Sequence, residues 1–426
     1  MSEPRILIIS HGHPDFSVGG GEISAHAEWT ELRRRGIEAM FLARMNESPG
    51  RPSAPFYSRS GDGYECLVNV PPVYRFRHSQ PAGGLVYYHF RQLLERFRPT
   101  VVHFHHYIHL GLELIREARK FNPDLFISVT LHEYLAICHA QGQMVKTGGM
   151  LCQKASSVDC HVCFPEISPQ DFFMRELFVK SFFNLVDQFI CPSRFLCDRY
   201  VAWGLPAGKM VVLENGQPRA RETETADAPD RGLERRFALL GQLSVLKGTL
   251  VLLDAVRLLS PTTRRKLRIE VHGSVQYADV DFKAQLTSGL TGLEDCVRMV
   301  GPYLREHVSG IVRRNGWIIV PSIWWENSPL VIQEAFAAGR PVICSNIGGM
   351  AEKVTHGVNG FHFRVNSAAD LAARMEECAG QPKLWREMCA RLPAPPTIEE
   401  TVDQLLALYV KGRTTLEEST HEPSLQ

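Results

Sequence analysis

The chain has 426 residues, 44% of them hydrophobic and 22% charged, and a formal net charge of +1. That length exceeds one ordinary core and suits two domains of roughly 200 residues each, while the near-zero charge excludes a global field for nucleic acid or an anionic membrane. No stretch approaches the ~20 apolar residues of a membrane span, and the start, Met-Ser-Glu-Pro before the short run RILIIS, lacks the basic leader and long apolar core of a signal peptide.

Strand-length apolar runs alternate with stretches of helical period. RILIIS (5–10) predicts a buried strand, followed by a glycine-rich loop and a helix over EISAHAEWTELRRRG (22–36), then a strand at EAMFLA (38–43). TVVHFHH (100–106), LFISVTLH (125–132) and LVDQFICPS (185–193) predict further strands, with helices over 110–121 and 194–204 between and after them. The pattern restarts with strands at 236–243, 267–274, 297–302, 317–322 and 340–346 and a helix over 248–260. Strands apolar on both faces, alternating with helices, predict parallel sheets sandwiched by helices. The polar run 219–235 predicts a linker, giving an N-terminal domain over 1–218 and a second over 236–396. A last amphipathic helix over 397–412 and a disordered tail over 413–426 complete the division. Two doubly wound domains present ligand sites at the C-terminal ends of their strands and predict a small-molecule cleft between them.

SIWWENSPLVIQEAFAAG (322–339) carries two glutamates, Glu326 and Glu334, eight positions apart around Pro329. Ser328 is expected to cap a helix with Pro329 at its first position, where a missing N–H costs nothing, and Gly339 is expected to end it. The helix start, Ser328 to Val331 through Leu330, then offers free N–H groups and a partial positive charge, an anion site. A phosphate there, flanked by two carboxylates, suits a nucleotide-linked sugar. The NIGG loop (346–349) follows the next strand, and Gly348-Gly349 is expected to allow close approach of a ligand.

The run PSIWWENSPLVIQEAFAAGRPVICSNIGGMAEKVTHGVNGFHF (321–363) resembles the donor segment of family 4 glycosyltransferases, retaining enzymes of GT-B fold. CPSRFLCDRYVAWGLPAGKMVVLENG (191–216), LLGQLSVLKGTLVLLDAV (239–256) and VGGGEISAHAEWTELRRRG (18–36) extend the resemblance over most of residues 5–375. It implies two facing Rossmann-like domains and a last helix crossing back to the first. It also implies roles. Glu334 matches the glutamate on the donor ribose, Glu326 the one at the donor sugar, and Lys247 the lysine on the diphosphate, where an ammonium stabilises the leaving group. Gly20 and Gly21 match the N-terminal loop that approaches the donor, and His132 the histidine near the reacting sugar. Gln242 stands where an arginine is usual, so one positive charge is missing; Arg305 and Arg194 are the nearby candidates to replace it. The resemblance implies retention of configuration and no cofactor required for catalysis. The expected function is transfer of a sugar from a nucleotide-diphosphate sugar to a glycan, lipid-linked or small-molecule acceptor. The alternatives are a nucleotide-sugar-binding pseudoenzyme or a nucleotide-sugar epimerase of the same architecture.

Two constellations stand outside that pattern. Cys138, Cys152, Cys160 and Cys163 lie in an insert over about 138–166 and can hold a structural zinc, with an iron–sulfur cluster or free thiols as alternatives. His103 and His105 in VVHFHHYIHLG (101–111) share one strand face with no evident carboxylate partner, which assigns them to the core or an acceptor pocket. Eleven cysteines without an export signal predict a reducing cytoplasm, with thiols rather than disulfides. The aromatic-basic runs YRFRH (74–78) and YYHFRQLLERFR (87–98) leave room for peripheral contact with the inner face of the membrane.

Overall fold

The computed structural model describes residues 3–17, 19–45, 56–72, 75–80, 83–218, 232–276 and 278–421, with side chains to 414. The chain forms two compact units, one of Met1–Pro218 with Pro396–Gln426, the other of Arg219–Pro395. Most of the expected linker, 219–231, lies outside the described residues, as does Tyr74 of the aromatic-basic run.

The first unit runs β1 (Ile6–Ser10), α1 (Gly20–Arg34), β2 (Ala39–Arg44), β3 (Phe56–Ser58), β4 (Glu65–Val68), α2 (Gly83–Phe97), β5 (Val101–Phe104), α3 (Glu113–Phe121) and β6 (Phe126–Thr130). It continues through α4 (Ser157–Cys163), α5 (Pro169–Phe183), β7 (Gln188–Cys191), α6 (Arg194–Trp203) and β8 (Met210–Val212). The strands form one sheet in the order β3-β4-β2-β1-β5-β6-β7-β8, parallel except for the β3–β4 pair. Every residue of β1 is buried, as an apolar strand covered on both faces requires. The short β3 and β4 were not expected: their residues, FYS and ECLV, are too few and too mixed to carry a period.

The second unit runs β9 (Arg236–Leu240), α7 (Thr249–Leu258), α8 (Pro261–Arg264), β10 (Arg268–His272), α9 (Val280–Leu290), β11 (Val297–Gly301), α10 (Val308–Arg313), β12 (Trp317–Val320) and α11 (Leu330–Ala337). It closes with β13 (Val342–Ser345), α12 (Gly348–Lys353), β14 (Gly360–Phe363), α13 (Ala368–Cys378) and α14 (Pro382–Cys389). Its sheet has the order β11-β10-β9-β12-β13-β14. One core on one face gathers Leu239, Leu252, Ile269, Trp317, Phe361 and Met375; a second on the other gathers Ala238, Ile318, Ile332 and Cys344. Each unit is therefore a doubly wound, Rossmann-like domain, and the pair places the chain in the GT-B class.

A last helix, α15 (Ile398–His421), returns to the first unit. Val402, Leu405 and Tyr409 join the core formed by Ile6, Phe41 and Phe126, and the Tyr409 hydroxyl bonds His103 Nδ1 at 2.7 Å. The expected end at 412 and the tail over 413–426 are corrected: the helix is continuous through His421, and only 422–426 lie outside the described residues. The polar composition beyond 412 lacks a helix breaker, so nothing in the chain stops the hydrogen-bond ladder there. No helix among the described residues is long and apolar enough to cross a membrane.

Candidate functional site

In the second unit the strand order reverses between β9 and β12. Chains leaving a doubly wound sheet at such a point diverge and open a crevice at the strand C-termini. Lys247 lies in the loop after β9 and Glu326 in the loop after β12, and the two meet there with Lys247 Nζ 2.6 Å from Glu326 Oε1. Glycine sets the spacing: Gly248 has φ +70, and a Cβ on it would collide with the Pro321 carbonyl. Glu326 is buried and held from three sides, since Oε1 also accepts from Ser322 Oγ at 2.7 Å and from Trp324 Nε1 at 2.8 Å. The Lys247 ammonium stands 5.5 Å from the Trp324 ring centroid, within cation–π range. Trp324 was missed in the sequence; its signal was an aromatic two residues before the acid.

Glu334 sits on the second turn of α11 with Arg305 NH1 3.3 Å from its Oε1. Burial raises its pKa, and the Arg305 guanidinium pulls it back. Arg305, not Arg194, therefore supplies a cation to this end of the unit; Arg194 opens α6 in the first. Gln242 is exposed on the loop after β9.

Two expectations here are corrected. The helix starts at Leu330 with Pro329 as N-cap and no side-chain cap bond, so Ser328 does not cap it. Pro329 has φ −64, a helical value that its ring fixes, but ψ 115, which is extended and keeps it outside a helix that begins one residue later than the serine pattern suggests. The Leu330 and Val331 N–H groups are thereby left without a capping side chain. In the NIGG loop, a Cβ on Gly349 would collide with the Asn327 carbonyl, and Gly349 N donates to Glu326 O at 2.8 Å. This glycine serves the packing of one loop on the other and fixes the backbone of Glu326, rather than opening room for a ligand.

In the first unit the switch lies between β1 and β5. Gly20 and Gly21 open α1, and a Cβ on Gly21 would stand 3.2 Å from the His132 ring, so the structure brings the glycine start and His132 together. Behind His132 runs a buried chain that the sequence did not reveal. His132 Nε2 lies 3.1 Å from His105 Nδ1, and His105 Nε2 lies 3.0 Å from Glu28 Oε2. Glu28, on the inner face of α1, is the carboxylate partner that seemed absent for the histidines of β5. Burial pushes Glu28 up to about 7 and His105 down to about 3, so the neutral forms are favoured together. Glu28 Oε2 and His105 Nε2 each lack a hydrogen-bond partner among the described residues, so this end of the chain is a close approach rather than a bond. Burial lowers His132 well below the usual histidine value, with His105 and His11 adding to the effect. Beside it, burial pushes Glu133 up to about 8, with His106 Nε2 3.3 Å from its Oε1.

Among the described residues, two groups bring three metal-capable side chains within 4.8 Å: Glu28, His103 and His105, and His13, His26 and Glu65. In the first, His103 already has Tyr409 on Nδ1 and Thr130 on Nε2, each at 2.7 Å. In the second, the Arg59 guanidinium lies 2.8 Å from His13 Nε2 and pairs with Asp15, which disfavours a further cation. No cysteine belongs to either group, and Cys138, Cys152, Cys160 and Cys163 form no disulfide.

Comparison with known proteins bears on this geometry. A family profile described as glycosyl transferases group 1 matches residues 234–381, and one described as glycosyltransferase family 4 matches residues 18–221. A D-inositol 3-phosphate glycosyltransferase of Nocardiopsis dassonvillei is 31% identical over 213 residues, covering 48% of this chain and 44% of that protein. The matched region thus spans less than half the length of that relative. Among solved structures, the sucrose-phosphate synthase of Thermosynechococcus elongatus aligns with a TM-score of 0.69 at 17% identity, over 96% of this chain and 100% of that one. Anabaena HepE in complex with UDP-glucose aligns with a TM-score of 0.61 at 16% identity, over 98% of this chain and 100% of that one.

Proposed function

The chain belongs to family 4 of the glycosyltransferases, and from that premise we propose that it is a retaining transferase moving a sugar from a nucleotide-diphosphate sugar to a glycan, lipid-linked or small-molecule acceptor. The observation that carries this is the Lys247–Glu326 pair at 2.6 Å on the switch point of the second unit, beside the uncapped start of α11. In this reading the Leu330 and Val331 N–H groups and Lys247 hold the diphosphate. Lys247 neutralises charge as the glycosidic bond to the leaving phosphate breaks. Glu334 takes the ribose hydroxyls, with Arg305 supplying the cation that Gln242 does not. Glu326 has three donors on Oε1 and keeps Oε2 for a sugar hydroxyl. His132 and the glycine start of α1 keep the roles the family pattern gives them, and no metal is assigned to the donor site.

HepE was solved with UDP-glucose, which makes that donor the first probe. The full chain incubated with UDP-glucose, then with GDP- and ADP-linked sugars, is expected to release nucleoside diphosphate from at least one. Proton NMR of the product of an α-linked donor is expected to show an α anomer. A β product overturns retention; no release from any donor overturns catalysis. The exposed Gln242 favours one second reading, a protein that binds the donor without turning it over, and binding without release would establish it.

A further inference from the structure

The second unit holds a cavity of about 340 Å³ at the ends of β13 and β14, a volume within the roughly 300–1,000 Å³ of small-molecule sites. Its polar lining comes from Asn346, His356, His362, Arg364, Asp370 and Arg374. Local folding brings these together. β13 and β14 run parallel with Ser345 opposite Phe363, and Asn346 N donates to Phe363 O at 2.8 Å, so the two strand ends stay side by side. The loop before β14 folds back on the strand, where the His362 N–H donates to His356 Nδ1 at 2.9 Å. That bond puts the His356 proton on Nε2, as a donor. Beyond β14, the Arg364 N–H donates to Asp370 Oδ2 at 2.7 Å and ties the chain to the first turn of α13. Two nitrogens of this lining are left over: His362 Nε2 and Arg374 Nε are buried with no hydrogen-bond partner among the described residues. Buried polar groups are normally bonded, and each one left unmade costs about 1–3 kcal/mol. Two such groups on one cavity mark a place where a ligand supplies the partners.

We propose that this cavity binds a small anionic sugar, with its phosphate or carboxylate on Arg364, Arg374 and His356 and its hydroxyls on His362, Asp370 and Asn346. The two cations are loosely committed. Arg364 Nε stands 3.6 Å and Arg374 Nε 4.0 Å from the same Asp370 carboxylate, both beyond hydrogen-bond length. Arg364 is 81% exposed and can close over a ligand, while Arg374 is anchored through NH1 to Glu377. A guanidinium matches phosphate and carboxylate alike, through parallel N–H bonds. His362 suits a hydroxyl: burial, with the neighbouring His356, lowers its pKa below the ordinary histidine value, so it is uncharged at neutral pH. Asp370 selects against a bare anion, which its carboxylate repels, and for a ligand that also brings O–H donors. The cavity contains neither Lys247 nor Glu334, so it is not the diphosphate crevice. It reaches the donor end through one loop only: Asn346 lies three positions before Gly349, whose N–H donates to the Glu326 carbonyl at 2.8 Å.

The test needs no turnover. The full chain is titrated calorimetrically with a hexose 6-phosphate and with a hexuronate, and for comparison with the neutral hexose and with inorganic phosphate. One of the two anionic sugars is expected to bind at least about tenfold more tightly than either comparison ligand, since a hydrogen bond to a charged group outweighs a neutral one. The tighter of the two tells a phosphate ester from a carboxylate. Arg364→Gln and Arg374→Gln are each expected to weaken that binding by about tenfold or more, while Lys247→Met leaves it unchanged. The Arg364 variant alters an exposed side chain, so it stands even where the Arg374 variant fails to fold. No binding of either anionic sugar overturns the proposal. So does neutral hexose or inorganic phosphate binding equally well, or binding that survives both arginine variants and is lost in Lys247→Met, which would place the ligand in the diphosphate crevice.

Discussion

Replacing Lys247 with methionine is expected to slow nucleoside diphosphate release from the donor by about 10²- to 10³-fold, the cost of removing one preorganised charge from a developing anion. Methionine keeps the apolar stem against Trp324 and removes only the ammonium. The fold is expected to tolerate the change. Lys247 is a third exposed, so its ion pair contributes about 1 kcal/mol or less, and Glu326 retains the Ser322 and Trp324 donors. The loss should fall mainly on kcat, because the charge matters most as the phosphate leaves. Lys247→Arg should recover part of the rate, since its guanidinium is charged but differently shaped. Steady-state rates of the three proteins decide the matter; a methionine variant within threefold of the parent would remove Lys247 from the chemistry.

Acidification from pH 6.5 to 5.5 is expected to cost the first unit about 2–3 kcal/mol of stability. The cause is a store of buried neutral histidines. Burial holds His78 and His105 down to about 3 and lowers His103, His106 and His132 well below the ordinary 6.5. Unfolded, each takes up a proton as the pH falls through 6.5; folded, none does, so acid favours the unfolded chain. Glu28 and Glu133 work the other way. Their folded values of about 7 and about 8 exceed the ordinary 4.5, so the folded unit holds their protons in this window and their contribution fades as pH rises through those values. Five histidines outweigh two carboxyls, and net stability rises with pH up to about 6.5. Urea denaturation at the two pH values, followed by a probe in the first unit, measures the slope. A flat or inverted dependence would mean that these histidines are charged inside the fold.

Alternating runs such as RILIIS and WIIVPS made both sheets legible, because a parallel strand covered on both faces must be apolar throughout. The Glu326–Glu334 spacing was legible from the chain and Lys247 only through the family resemblance; the structure brings Lys247 to Glu326, from the loops after β9 and β12. The details depend on contacts between distant residues. Gly349 read as room for a ligand and proved to be room for the Asn327 carbonyl. Ser328 read as a cap, and the extended ψ of Pro329 put the helix start one residue further on. Glu28 lies 77 positions before His105 in the chain, on a helix with other acids, so no local spacing marks it as the partner of a β5 histidine. The short β3 and β4 are held by their neighbours rather than by a period of their own.

The account rests on the second unit taking the nucleotide end of an activated sugar through Lys247, Glu334 and the start of α11. Calorimetric titration of the full chain with UDP, with ADP and GDP alongside, measures this without an acceptor. One nucleotide is expected to bind, with affinity reduced at least about tenfold in Glu334→Ala, a loss of about 1.4 kcal/mol. No binding by any of the three, or binding that Glu334→Ala leaves unchanged, would contradict it.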